Sequence, residues 1–218
     1  GFPVATGVNV RSSLAMGNVD SDAAYEFVVA GFDHELCIVD NTGSILFTSA
    51  DYGIFMGTPT MADITGDGVC EVIVGDMNNN LYVLDGSGNP VGSFPLAMPE
   101  RILAGISVGD IDNDGAKEMV FGCFDGNLYS VEASGAITSG YPITLGGQIQ
   151  NSTCIFGTGM IAISSSNNHM YIVDDAAIIT DLTLPARVSK TQIAADFDDD
   201  GAYEIGRASC RERVFRTV

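Results

Sequence analysis

Apolar runs of three to five residues recur along the chain, each closed off by polar turn residues. The first set falls at 13–17, 27–30, 36–39 and 45–47. Asp33-His34 and then Asn41-Thr42-Gly43 separate the later members. Runs this short predict strands, because helices need longer periodic segments. Several runs are continuously apolar rather than alternating, such as Val72-Ile73-Val74 and Met119-Val120-Phe121. A strand that is apolar on both sides is expected to be covered on both faces. Four such strands in about 45 residues, stacked between like neighbours, predict a β-propeller blade. One blade cannot bury both of its faces, so stacking must make the core.

The repeat is also visible in the polar segments. Four nine-residue windows share one pattern, and each closes on a glutamate: Glu26, Glu71, Glu118 and Glu204. These glutamates lie 45, 47 and 86 residues apart. The last interval is double, so one copy lacks the window. Its strands survive as Met160-Ile161-Ala162-Ile163 and Met170-Tyr171-Ile172-Val173-Asp174. Its window has shrunk to Phe156-Gly157-Thr158-Gly159, a short hairpin without carboxylates. This odd copy is expected to keep four strands and contain no helix. The expected blades span 12–56, 57–101, 102–147 and 148–188, with 189–204 beginning another. Residues 1–11 resemble later blade ends (Gly1-Phe2-Pro3-Val4 beside Ser93-Phe94-Pro95-Leu96) and are expected to be the last strand of a preceding blade. The fold class is thus all-β, an incomplete propeller of four-stranded antiparallel blades in one partial domain, 1–204.

Composition narrows the function. Nine basic and 28 acidic residues give a formal charge of −19, which disfavours nucleic acid and anionic lipid as partners. No apolar run approaches the roughly 18 residues of a membrane span. The chain begins with Gly1 and shows no signal peptide, so a mature product or a fragment is expected. Residues 205–218 hold four of the nine basic residues, Arg207, Arg211, Arg213 and Arg216. That stretch resembles a translated sequencing adapter and is set aside from the fold as a tail.

The acidic residues are not spread evenly. The four windows contain 15 of them. Such crowding is repulsive unless a cation neutralises it. In the third window carboxylates occupy positions 1, 3, 5 and 9: Asp110, Asp112, Asp114 and Glu118. Gly115 at position 6 permits a sharp reversal. Position 7 can offer a backbone carbonyl. An all-oxygen set rich in carboxylates suits Ca²⁺ better than the stricter octahedron of Mg²⁺. No His or Cys takes a ligand position, which argues against zinc. An EF-hand would close with its glutamate at position 12 between helices; here the glutamate is at 9 and strands flank it.

These windows, strands and period resemble the FG-GAP/VCBS calcium-binding propeller repeat, also found in integrin α subunits. The resemblance covers about 1–204 and implies Ca²⁺ held between the first two strands of a blade. It implies the ligands Asp110, Asp112, Asp114, Glu118 and the Ala116 carbonyl. The equivalent sets are Asp196, Asp198, Asp200, Ala202 and Glu204; Asp63, Thr65, Asp67, Val69 and Glu71; and Asn18, Asp20, Asp22, Ala24 and Glu26. Asn18, Thr65 and Ala23 depart from the pattern, so the loops beginning at Asp110 and Asp196 are expected to bind more tightly. Asn113, at position 4, is expected to be a non-ligand whose replacement by alanine leaves the calcium response unchanged. Such propellers commonly have about seven blades, so this chain is expected to be cut at both ends.

The expected function is a calcium-stabilised binding, adhesion or scaffolding module, secreted or on the cell surface, with a protein or carbohydrate ligand on a propeller face. The alternative is the catalytic or non-catalytic propeller part of a secreted enzyme, such as a quinone-dependent dehydrogenase or a polysaccharide lyase. The first typically repeats a Trp motif, and this chain has no Trp. No acid/base constellation supports either. His34 and His169 are expected to be turn residues. Cys37, Cys70, Cys123 and Cys154 are expected to be small hydrophobes rather than a disulfide framework. Tyr82, Tyr129 and Tyr171 recur with the repeat and are expected to pack between blades.

Overall fold

The computed structural model describes residues 1–49, 52–185, 191–196, 199–201, 203–207 and 215–216. Every regular element among them is a strand, and no helix is long and apolar enough to cross a membrane. The chain divides into two compact units.

The first unit, Gly1–Ile106 with Ala133–Ala136, holds two four-stranded sheets. One is β1 (Ala15–Gly17), β2 (Glu26–Ala30), β3 (Leu36–Val39) and β4 (Ile45–Ser49). The other is β5 (Thr60–Ala62), β6 (Glu71–Gly75), β7 (Asn80–Leu84) and β8 (Leu96–Ala97). Each sheet follows chain order, and every pairing is antiparallel. This is the form of a propeller blade. All five residues of β6 are buried, as its unbroken apolar run requires. Val28, Leu36 and Ile38 of the first sheet share one apolar cluster with Val72, Val74 and Leu84 of the second. Phe55 completes it from the connecting segment.

The second unit, Ser107–Glu132 with Ile137–Val218, repeats the arrangement. Its first sheet is β9 (Ser107–Gly109), β10 (Glu118–Gly122), β11 (Asn127–Val131) and β12 (Ile143–Thr144). Its second is β13 (Cys154–Phe156), β14 (Met160–Ser164), β15 (His169–Asp174) and β16 (Ala177–Thr183). A three-stranded sheet follows: β17 (Gln192–Ala195), β18 (Glu204–Arg207) and β19 (Phe215–Arg216). Val120 and Leu128 pack with Ile161, Ile163 and Val173. Ala162, Met170 and Ile172 pack with Ile205.

The described residues of the odd copy form a four-stranded sheet without a helix. Residues 157–159 turn directly from β13 to β14, with Gly157 and Gly159 at positive φ. Its brevity lets it lie close to the preceding loop: a Cβ on Gly159 would come within 2.9 Å of Ile111 Cα.

Two stretches differ from the sequence reading. Residues 1–11 form no ladder. Val10 makes an isolated bridge to Gly31, and the Phe2 ring meets Phe27 edge-on at 5.9 Å. At the other end, residues 205–207 of the stretch set aside as a tail continue β18 and pair with β17. Ile205 is buried against Phe156 and Met170, so its apolar side chain holds the strand in place.

Candidate metal centres

Each nine-residue loop connects the first and second strands of a blade, and its closing glutamate opens the second strand. Loop 1 (18–26) joins β1 to β2, loop 2 (63–71) joins β5 to β6, and loop 3 (110–118) joins β9 to β10. Loop 4 (196–204) joins β17 to β18. Of its expected ligands, Asp198 and Ala202 lie outside the described residues.

One bond recurs in the first three loops. The glutamate at position 9 reaches back to the N–H at position 2. Val19 N–H donates to Glu26 Oε2 (3.0 Å), Ile64 N–H to Glu71 Oε2 (2.9 Å), and Ile111 N–H to Glu118 Oε2 (2.8 Å). The glutamate therefore fastens the hairpin with one oxygen and keeps the other for a second task. The residue at position 1 organises the turn. Asp110 Oδ2 accepts from Gly115 N–H (3.0 Å), and Asp196 Oδ2 accepts from Gly201 N–H (2.8 Å). Asp63 accepts from Gly66, Asp67 and Gly68. In loop 1, Asn18 Oδ1 accepts from Asp20 and Ser21, while its amide nitrogen donates to the Asp22 carbonyl.

The backbone explains the glycines. Gly68, Gly115 and Gly201 at position 6 have φ of 90°, 92° and 87°. Position 4 is also left-handed in all four loops, at Ser21, Gly66, Asn113 and Asp199. The spacing rule did not anticipate that. Asn tolerates this region better than most residues. Asn113 Nδ2 also donates to the Thr158 carbonyl (3.4 Å). Asn113 thus has two structural roles, in the turn and toward Thr158.

Among the described residues, two loops bring three carboxylates together. Asp20, Asp22 and Glu26 each offer an oxygen, with those atoms within 4.8 Å of one another, and so do Asp110, Asp112 and Glu118. Among the described residues, Asp63, Asp67 and Glu71 do not converge in this way, nor do Asp196, Asp200 and Glu204. Asp114 Oδ1 accepts from Ala116 N–H (2.7 Å), and Asp22 Oδ1 accepts from Ala24 N–H (2.5 Å), so both position-5 carboxylates also shape the turn. The corresponding bond in loop 2 is Val69 N–H to Asp67 Oδ1 (2.9 Å).

Loop 3 has the strongest chemical signature. Glu118 is fully buried, and its Oε1 has no hydrogen-bond donor; Asp110 Oδ1 is buried without a donor as well. A buried carboxylate oxygen without a partner is costly. Burial above all pushes the Glu118 carboxyl up to about 7, with the negative charges of Asp112, Glu132 and Asp114 adding to it. The bond from Ile111 N–H opposes the shift. A hard divalent cation bound by oxygen would satisfy both orphaned atoms and reverse the electrostatic balance. The residues of loop 3 therefore fit Ca²⁺.

The other singled-out residues are structural. His34 stands in a turn with a φ of 71°, its Nδ1 3.1 Å from the Tyr52 carbonyl. His169 is instead the first residue of β15, its Nδ1 2.5 Å from Asp181 Oδ1. Tyr82 and Tyr129 donate to Asp76 and Asp125 of the preceding turns. Their recurrence was visible in the sequence, but their polar partners were not.

An FG-GAP-like repeat family matches residues 63–121, which run from the start of loop 2 through most of β10. No curated protein matches the chain. Among solved structures, BBS1N, crystallised in complex with ARL6DN, is similar over 98% of this chain and 70% of that one, with a TM-score of 0.68 at 14% identity. BamB from Moraxella catarrhalis is similar over 96% of this chain and 64% of that one, with a TM-score of 0.65 at 14% identity. A Bacteroides caccae protein of unknown function gives 94% and 72%, a TM-score of 0.55 and 13% identity. At such identities the likeness establishes the all-β propeller fold and not an activity.

Proposed function

We propose that this chain, a propeller fold whose residues 63–121 form an FG-GAP-like repeat, is a non-catalytic binding or scaffolding module stabilised by calcium. The observation that carries the calcium reading is the buried, donorless Oε1 of Glu118 beside Asp110 and Asp112. In this reading Asp110, Asp112, Asp114, Glu118 and the Ala116 carbonyl hold the ion. Calcium supplies positive charge where the hairpin crowds carboxylates, and the residues themselves fix the turn. Loop 1 does the same with Asp20, Asp22 and Glu26. Loop 4 is a further candidate through Asp196, Asp200 and Glu204.

The cellular setting follows from affinity. Loops of this kind suit extracellular calcium, which is abundant enough to fill weak sites. We therefore place the protein outside the cell or on its surface. Its partner is a protein or a carbohydrate held on a propeller face. A protein partner is favoured by BBS1N, a neighbour crystallised in complex with ARL6DN. The charge of −19 disfavours nucleic acid.

Isothermal titration of calcium into chelator-stripped protein tests this reading. Saturable binding at millimolar calcium or below is expected, weakened by Asp112→Ala. Titration heats no larger than dilution would contradict it.

A further inference from the structure

Loop 2 differs from loop 3 in how its carboxylates are satisfied, and the difference begins at one residue. Position 3 is Thr65 in place of an aspartate. Its hydroxyl donates to Glu71 Oε1 at 3.2 Å. Glu71 Oε2 accepts from Ile64 N–H (2.9 Å) and from Thr65 N–H (3.4 Å). At position 1, Asp63 Oδ1 accepts from Gly66 (2.6 Å) and Asp67 (3.1 Å), and Oδ2 accepts from Gly68 (2.9 Å). All four oxygens of these two carboxylates therefore have donors. The equivalent pair in loop 3, Asp110 and Glu118, keeps two buried oxygens without one. Loop 2 also fails to draw three carboxylates together, whereas loop 3 does.

A cation entering loop 2 would have to displace the Thr65 hydroxyl from Glu71. No such bond stands in its way at Glu118 Oε1. Removing that hydroxyl would leave Glu71, only 5% exposed, with an unsatisfied oxygen. We propose that Thr65 is a positioning residue whose hydroxyl takes the place of a cation, so that loop 2 closes by itself and does not load calcium. The hairpin between β5 and β6 is then cation-independent, while loops 1 and 3 respond to calcium. The second half of this statement rests on the calcium reading above; the first does not.

Two measurements on the full chain separate them. Melting of Thr65→Val should fall by about 2–4 °C or more, by the same amount in calcium and in chelator. Thr65→Ser, which keeps the hydroxyl, should melt close to the parent. A Thr65→Val protein that melts like the parent in chelator would overturn the clasp. The calcium count per chain, from equilibrium dialysis, should rise by one in Thr65→Asp, which restores the carboxylate and removes the clasp. An unchanged count would overturn the claim that loop 2 is empty in the parent. A parent that binds no calcium at all would sink the calcium reading, and the Thr65→Val melts in chelator would still decide the clasp.

Discussion

At the scale of single residues, Glu118 links burial to charge. Its carboxyl is pushed up to about 7, above the unfolded value of about 4.3. A raised folded value means that the proton is held more tightly in the folded chain. Its contribution to stability is complete below the unfolded value and is lost as pH rises through about 7. In chelator, melting of the parent should therefore fall relative to Glu118→Gln between about pH 5 and about pH 8. Glutamine imitates the protonated acid and lacks this loss. In calcium the order should reverse, because the ion needs the carboxylate. Parallel melting profiles in chelator would contradict the account. Gly115 gives a second residue-scale prediction. Its φ is 92°, yet a Cβ there would meet nothing within 4 Å. Gly115→Ala is thus strained by the backbone alone, by about 1–2 kcal/mol, measurable by urea unfolding. Equal stability would show that the loop re-forms along another path. Loop 1, with Ala23 at this position, takes such a path: Ala23 is not among its left-handed residues.

At the scale of elements, the blades depend on close approach between backbone and side chains. Gly122 ends β10, and a Cβ on it would lie 2.0 Å from Ile149 Cγ2. Gly75 ends β6 in the same way, with a Cβ 2.3 Å from Ile102 Cβ. Gly122→Ala should destabilise by about 1–3 kcal/mol, and Ile149→Ala in the same chain, which removes Cγ2, should recover part of that loss. Additive losses in a double-mutant cycle would show that the two residues do not meet. Much of this architecture was legible beforehand. The run Val120-Phe121 and the repeated closing glutamates prescribe short strands at a fixed period, because strand faces and turn residues are local properties. The bond from Glu118 to Ile111 N–H was not legible, since it depends on the register between β9 and β10. Nor was the left-handed backbone at Asn113, because spacing picks out candidate ligands but not the φ of the residues between them. Thr65 read only as a missing carboxylate; its bond to Glu71 needed the folded hairpin. Residues 205–207 show the opposite limit. A composition shift suggested a tail, but Ile205 finds an apolar pocket beside Phe156 and Met170.

At the scale of the whole molecule, among the described residues each compact unit contains one loop with three converging carboxylates, loop 1 in the first and loop 3 in the second. Calcium that binds only the folded chain stabilises by RT ln(1 + [L]/Kd). At about 1 mM calcium and a Kd of about 10⁻⁴ M, this is about 1.4 kcal/mol per site. Two sites then contribute about 3 kcal/mol, a large part of a domain's net stability of about 5–15 kcal/mol. For a chain of this length the corresponding rise in melting temperature is on the order of 5–10 °C. The direct test is thermal melting of the full chain with calcium and with chelator at one fixed ionic strength, since a charge of −19 makes the fold sensitive to salt. The account predicts a higher melting temperature in calcium, with part of that rise lost in Asp112→Ala. Superimposable melting curves in the two buffers would contradict it.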